Sequence, residues 1–229
     1  MRIDKFLSHL KYCTRSETKS FLSAHEIMHQ GKRISSQKEE IYPEIAPLYL
    51  DGHEIFYKDE IHLMLYKPQG YLSANHDDNY PCAVDLIKEP YDRFDFSIAG
   101  RLDLDAEGLL ILSTSGTLVH DIISPKKHLP KVYQVLLEQP FSKEKELLKG
   151  VHILDGKNQS FLAKAIHITK DDTHVYITID EGKFHQVKRM FKAVGYEVIQ
   201  LKRIRIGHLS LGDLKPGEYI EFSKEQLYD

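Results

Sequence analysis

The sequence predicts an α+β protein in two parts, a small module over residues 1–56 followed by a larger domain over 57–229 built on a mixed sheet. Two observations carry that reading. The first 38 residues show apolar side chains at helical spacing, and beyond residue 57 short apolar segments alternate with Gly- and Pro-rich turns. A chain of 229 residues with 41% hydrophobic and 28% charged residues can bury a core in each part.

The first module begins with Ile3, Phe6, Leu7 and Leu10 on one helical face. Thr14-Arg15-Ser16-Glu17 then reads as a capping box that opens a second helix through Lys19 and Phe21-Leu22: Thr14 would accept from the amide three residues on while Glu17 reaches back. Glu26 to Ile34 reads as a hairpin turning near Gly31, and Leu48-Tyr49-Leu50-Asp51-Gly52 as a later strand and turn.

The larger domain opens on Ile61–Tyr66, a strand ended by Lys67-Pro68-Gln69-Gly70. Residues 71–95 are rich in loop formers. A helix is expected over Thr117–Ile123, then a basic loop from Ser124 to Lys131 that includes Lys126 and Lys127, then the strand Val132–Leu137. Ala163–Ile168 and His174–Ile179 alternate and are expected to extend the sheet. Gly182 is read as ending a strand, and Gln186–Val194 as a helix whose early turns carry Lys188, Arg189 and Lys192.

Between two apolar strands lies the most informative segment, Gly100-Arg101-Leu102-Asp103-Leu104-Asp105-Ala106-Glu107-Gly108, which places three carboxylates and an arginine on one turn. Such a cluster is costly unless solvated or functional, and loops held by a rigid sheet are where catalysis is placed. Its Asp-x-Asp-x-Glu-Gly spelling resembles a calcium loop, but the twelfth position is Thr114 on an apolar strand rather than a bidentate Glu. His185 has no second His or Cys at ligand spacing, so no metal is expected. His185, Gln186, Lys188 and Arg189 form a group suited to holding a phosphate or steadying a carboxylate.

Charge is segregated. Residues 1–38 hold eight Lys/Arg against three Asp/Glu, and residues 181–208 hold seven against two, within a chain of net charge −3. Basic surfaces facing phosphate account for this pattern. Two cysteines, Cys13 and Cys82, are too few for a disulfide framework, and no signal-peptide or membrane-length apolar run occurs, so a cytoplasmic location with no membrane partner is expected.

The first module resembles the S4 RNA-binding domain, through Arg2-Ile3-Asp4-Lys5-Phe6-Leu7, Thr14–Lys19, Gly31-Lys32 and Asp51-Gly52. Ala24-His25 stands where that family usually has Gly. The resemblance implies an RNA-facing surface drawn from Arg2, Lys5, Arg15, Lys19, Lys32 and Arg33, with Lys126 and Lys127 of the later basic loop as further RNA contacts. The whole chain resembles pseudouridine synthases of the RsuA family, through Lys67-Pro68-Gln69-Gly70, Gly100–Asp105, Lys131-Val132-Tyr133, His185–Met190, Ile206-Gly207 and Pro216-Gly217-Glu218-Tyr219. Ala106-Glu107 departs from the family's usual Thr and small polar residue.

That resemblance implies a largely antiparallel catalytic sheet with a cleft across it. The implied reaction is cofactor-free conversion of one uridine in 16S ribosomal RNA to pseudouridine, by resemblance uridine 516. Asp103 is implied as the catalytic carboxylate, either nucleophile at C1′ or base at C2′. Lys188 is implied as its cationic partner and Tyr133 as the group stacking on uracil. Arg101 is implied to fill the space left by the base, with Gly100, Leu102, His185, Gln186 and Arg189 around the substrate. The partner would be ribosomal RNA or a small-subunit assembly particle, and the protein a monomer. Three alternatives stand beside this reading. A 23S-specific synthase shares the motifs, a non-catalytic S4-type assembly protein leaves the Asp103 loop unused, and a glycosidase would want separated carboxylates.

Overall fold

The computed structural model describes residues 1–228, which divide into two compact units. The first comprises Met1–Ile61 together with Ile87–Asp95, the second His62–Leu86 and Phe96–Asp229. Among the described residues no helix is long and apolar enough to cross a membrane.

The first unit packs α1 (Ile3–His9) and α2 (Thr18–Ala24) with an antiparallel sheet of β1 (Ile27–His29), β2 (Lys32–Arg33), β3 (Leu48–Leu50) and β4 (His53–Glu54), in the order β2-β1-β3-β4. Ile3, Phe6, Leu7 and Leu10 are fully buried, as their spacing requires, and each such side chain contributes about 1.5–3 kcal/mol by leaving water. Gln30-Gly31 and Asp51-Gly52 both have positive φ at both residues, the geometry that matches the twist of paired strands at a two-residue turn.

Half of the expected capping box forms. Glu17 Oε2 accepts from the Thr14 amide at 2.9 Å, but the Thr14 hydroxyl donates to the same carboxylate at 2.6 Å instead of capping an amide, and the helix starts only at Thr18. Residues 87–95, read from sequence only as part of a loop-rich stretch, pack with this first unit. Phe94 is buried and meets Phe56 edge-on at 5.9 Å, while the Arg93 guanidinium lies 4.4 Å from the Tyr12 ring centre.

The second unit is built on a mixed sheet. Its strands are β5 (His62–Lys67), β6 (Ser97–Ala99), β7 (Glu107–Ser113), β8 (Lys131–Leu137), β11 (His167–Lys170), β12 (Val175–Ile179), β13 (Val198–Ile206), β14 (Leu209–Ser210) and β15 (Tyr219–Glu221). The main path runs β11-β12-β8-β13-β7-β5-β15, with β14 on β13 and β6 on β7. Every pairing is antiparallel except β13 with β7. The remaining strands, β9 (Val151–Leu154) and β10 (Ser160–Ala163), form a separate hairpin. The expected continuous strand over 163–168 is therefore broken: Ala163 ends β10, and only from His167 does the chain join the main sheet. Gly182 likewise follows β12, which ends at Ile179, rather than terminating it.

Three helices cover the sheet's apolar positions. On one core, α3 (Gly116–Ile123) places Leu118 and Ile122 against Leu109, Ile111 and Ile206. On another, α4 (Glu144–Lys149) contributes Leu147, and α5 (Gln186–Ala193) contributes Val187, Met190 and Phe191 against Val135, Ile177 and Leu201. The short α6 (Glu225–Tyr228) buries Leu227.

The parallel contact of β13 with β7 needs one glycine. Gly108 has φ +110°, and a Cβ there would lie 2.8 Å from the Arg203 amide nitrogen and closer still to its carbonyl oxygen. Close approach at this point brings the Arg203 side chain beneath the 100–106 loop.

Candidate active site

The acidic segment connects β6 to β7, and the carbonyls of Gly100, Leu102, Leu104 and Ala106 in it are each held by a donor from elsewhere in the unit. Arg203 donates to the Gly100 carbonyl at 2.6 Å. Ser73 is buried and donates to the Leu102 carbonyl at 2.8 Å while accepting the Leu102 amide at 3.0 Å. Lys67 is completely buried and donates to the carbonyls of Ala106 (2.7 Å) and Pro68 (2.9 Å). The Gly70 amide reaches the Leu104 carbonyl at 2.8 Å. The loop is thus a preorganised platform, and Asp103 at its tip keeps a side chain 24% exposed.

Two side chains from the α5 end meet that carboxylate. His185 Nε2 lies 3.3 Å from one Asp103 oxygen, and Lys188 Nζ lies 3.6 Å from the other. Lys188 is closer still to Asp105, at 2.6 Å, so one ammonium bridges both aspartates. Burial pushes the Asp105 carboxyl up, but the Lys188 hydrogen bond and charge, with His185 behind them, hold it below the usual carboxylate range. Glu107, the third carboxylate, has left the turn and begins β7.

His185 is placed by local backbone geometry. It adopts the left-handed conformation, φ 50°, at the start of α5, and its ring stacks on Phe184 at 3.8 Å. The Arg189 guanidinium lies 4.9 Å from the same Phe184 ring and donates to the carbonyls of Leu154 and Asp155. Arg189, expected beside the substrate, is thereby engaged with backbone, and it lines a separate hollow with Lys192 and Tyr196.

Behind Asp103 the cleft is bounded by Gly100, Leu102, Tyr133, Gln186, Lys131 and Arg203. Its outer part, about 630 Å³, is bordered by Arg101, Leu104, Asp105, Phe184 and the apolar Leu72, Ile98 and Ile123, a size that suits a small ligand or one everted nucleotide. Tyr133 is buried on β8, with its hydroxyl 3.5 Å from the Arg203 guanidinium. Asp103, Tyr133, His185, Gln186, Arg101, Gly100 and Leu102 therefore border one cavity system, and Lys188 reaches it through Asp103.

Sequence reading did not assign Lys67, Lys131 or Arg203 to the site. A signal was present for two of them: Lys131 precedes Tyr133 and Val135, and Arg203 follows Leu201, at the two-residue period of an inward strand face. Burial of Lys67 pushes its ammonium down to about 8, assisted by Arg203 and opposed by Asp103, Asp105 and Glu107.

Of the other basic residues singled out, Arg2 and Arg15 both contact Asp4, at 2.7 and 3.2 Å. Lys5, Lys19, Lys32 and Arg33 are exposed in the first unit, and Lys126 and Lys127 are exposed in the second, where Lys127 lies 3.6 Å from Asp121.

Comparison with known proteins points one way. Residues 61–193 match the family model described as RNA pseudouridylate synthase. The chain is 43% identical over 233 residues to the uncharacterized RNA pseudouridine synthase YtzG of Bacillus subtilis, covering 100% of this chain and 97% of that one. It is 35% identical over 231 residues to ribosomal small subunit pseudouridine synthase A of Escherichia coli, covering 99% and 98% of the two chains. A crystal structure of a pseudouridylate synthase superposes with a TM-score of 0.65 at 32% identity, over 99% of this chain and 98% of that one.

Proposed function

The chain belongs to the RNA pseudouridylate synthase family, and from that premise we propose that it isomerises a single uridine of 16S ribosomal RNA, with uridine 516 as the target. The observation that carries the proposal is the Asp103 carboxylate, set on a backbone-pinned loop between His185 and Lys188 at the mouth of a cavity backed by Tyr133. The small-subunit assignment is supported by the full-length likeness to the Escherichia coli enzyme.

In this reading Asp103 faces the ribose of the everted nucleotide, and adds to C1′ or removes the C2′ proton as the N1–C1′ bond breaks. The electron pair of that bond leaves with N1. The detached uracil then turns and a C5 electron pair closes the new bond to C1′, expelling the Asp103 carboxylate on the first route or with return of the proton to C2′ on the second; the C5 proton departs and N1 takes up a proton, so the change is an isomerisation without redox chemistry. Lys188 and His185 hold the Asp103 carboxylate in place beside the ribose. Tyr133 supplies a flat wall to the base, and Arg101 occupies the gap left in the RNA. The first unit acts as an S4-type module, whose exposed Lys5, Lys19, Lys32 and Arg33 face the RNA backbone. We place the working protein in the cytoplasm as a monomer acting on ribosomal RNA or on an assembling small subunit.

The test is tritium release from C5-labelled 16S transcripts. Wild type is expected to release one equivalent per RNA, and Asp103→Asn to lower the rate by at least about 10³-fold with unchanged folding. Release by the variant at the wild-type rate would falsify the assignment, and release from 23S but not 16S transcripts would reassign the substrate. Mapping of the product decides the nucleotide.

A further inference from the structure

The back of the cleft holds more hydrogen-bond donors than the protein fills. Lys131, Gln186 and Arg203 are 5%, 3% and 1% exposed, and all three border the cavity shared by Asp103 and Tyr133. Lys131 Nζ gives one hydrogen bond, to the Leu129 carbonyl at 3.0 Å. Gln186 uses its Oε1 to accept the Lys183 amide at 3.0 Å, which fixes the orientation of the side-chain amide, and its Nε2 is buried with no partner among the described residues. Arg203 divides its hydrogens among the Leu109 carbonyl at 2.8 Å, the Gly100 carbonyl and the Tyr133 hydroxyl. Among the described residues neither cation has a carboxylate within 4.0 Å. Burial pushes the Lys131 ammonium down to about 8, with Arg203 acting in the same direction and Asp180 opposing.

Buried donors without acceptors, and buried cations without a counter-charge, are unfavourable until something completes them. The missing partner must offer acceptor oxygens, and negative charge would suit it. Depth decides what it is. The phosphates of a folded RNA stay at the cleft mouth because polymer continues on both sides, whereas an everted base is the part that reaches the back.

We infer that Lys131, Gln186 and Arg203 form a seat for the carbonyl oxygens of uracil during the interval in which the base is detached and anionic. The inference rests on the isomerase reading above, in which N1 leaves with the electron pair and the charge spreads over N1, O2 and O4. Donors fixed in advance where charge develops stabilise it most. The turning base presents O2 and O4 in succession, and the rotatable hydrogens of an ammonium follow that motion better than a rigid fork would. Arg203, already tied to two carbonyls, supplies field rather than the moving contact.

The experiment compares two free bases on the full-length protein. One is uracil, which is neutral at pH 7, and the other is 5-nitrouracil, which the nitro group makes an anion at that pH; binding is measured by calorimetry and by the nitro absorbance. Wild type is expected to prefer 5-nitrouracil by at least about ten-fold, Lys131→Met to bring the ratio close to one, and Lys131→Arg to retain most of it. Lys164→Met, an exposed control, leaves the ratio unchanged. Should Lys131→Met fail to fold, Gln186→Leu serves instead, with an expected loss of about three-fold or more in 5-nitrouracil affinity. A wild type without the preference, including one that does not bind the nitro compound, overturns the seat, as does a preference that survives both substitutions. Tritium release by wild type separates the two ideas: release without the preference defeats the seat alone, and no release defeats the isomerase reading.

Discussion

Lys67 is a charged side chain with no exposed surface, and its ammonium is taken up by two carbonyls, one of them at the end of the Asp103 loop. Burial lowers its affinity for a proton to about 8 from the ordinary 10.5. Above pH 8 the folded protein therefore releases a proton that the unfolded chain still holds, so stability rises with pH until both forms are neutral near 10.5. Lys67→Met removes this linkage. Denaturation midpoints of the two proteins are expected to diverge between pH 8 and 10 in favour of wild type, by on the order of 1 kcal/mol per pH unit. A difference that stays constant with pH would mean that Lys67 carries no unusual proton equilibrium. Lys188 and Arg189 were both visible in the sequence as members of one basic block, yet they do different work. Lys188 bridges two aspartates while Arg189 is spent on carbonyls and Phe184, a distinction set by which side of α5 each faces.

At the level of elements, the contact of β7 with β13 is the joint on which the site depends. Gly108 is required there twice over, because its φ of +110° disfavours any side chain and because a Cβ would press into the Arg203 backbone. Gly108→Ala is expected to cost about 2–4 kcal/mol, read from thermal or denaturant unfolding, and to lower isomerisation beyond that loss because Arg203 no longer holds Gly100. A variant with wild-type stability and activity would show that the strands tolerate displacement. Helices α1, α3 and α5 and strands β5, β8 and β12 were legible beforehand from apolar periodicity and turn residues, whereas α4, α6 and the central strand β13 were not read as elements. The 163–168 segment was misread because alternation reports which face a residue occupies, while a break between two sheets depends on partners far away in sequence.

For the whole molecule, charge segregation in the sequence corresponds to different situations in the two units. In the first, Asp4 neutralises part of the block by engaging Arg2 and Arg15, while Lys5, Lys19, Lys32 and Arg33 remain among its exposed charges. Under the proposed RNA-binding role, Lys19→Ala with Lys32→Ala should weaken binding of a 16S transcript and reduce the salt slope by about 0.7–0.9 per lost phosphate contact, measured by filter binding between low and moderate salt. An unchanged slope removes that surface from the RNA interface. In the second unit the basic block around 181–208 is divided: Arg203 is buried and Lys188 turns to the aspartates, while Lys183, Lys192 and Arg205 are exposed.

By itself the sequence determined the α+β class, the elements with clear periodicity, the family resemblance, and the two clusters at 100–108 and 185–189, because each is written in residue types a few positions apart. Only the tertiary structure decided that residues 87–95 belong with the first unit, that one lysine spans Asp103 and Asp105, and that Lys67, Lys131 and Arg203 lie buried around the cleft. The physical reason is the same in each case. Burial and hydrogen-bond partners are fixed by which strands become neighbours, and the parallel pairing of β7 with β13 joins residues 95 positions apart, a separation over which local pattern carries no information.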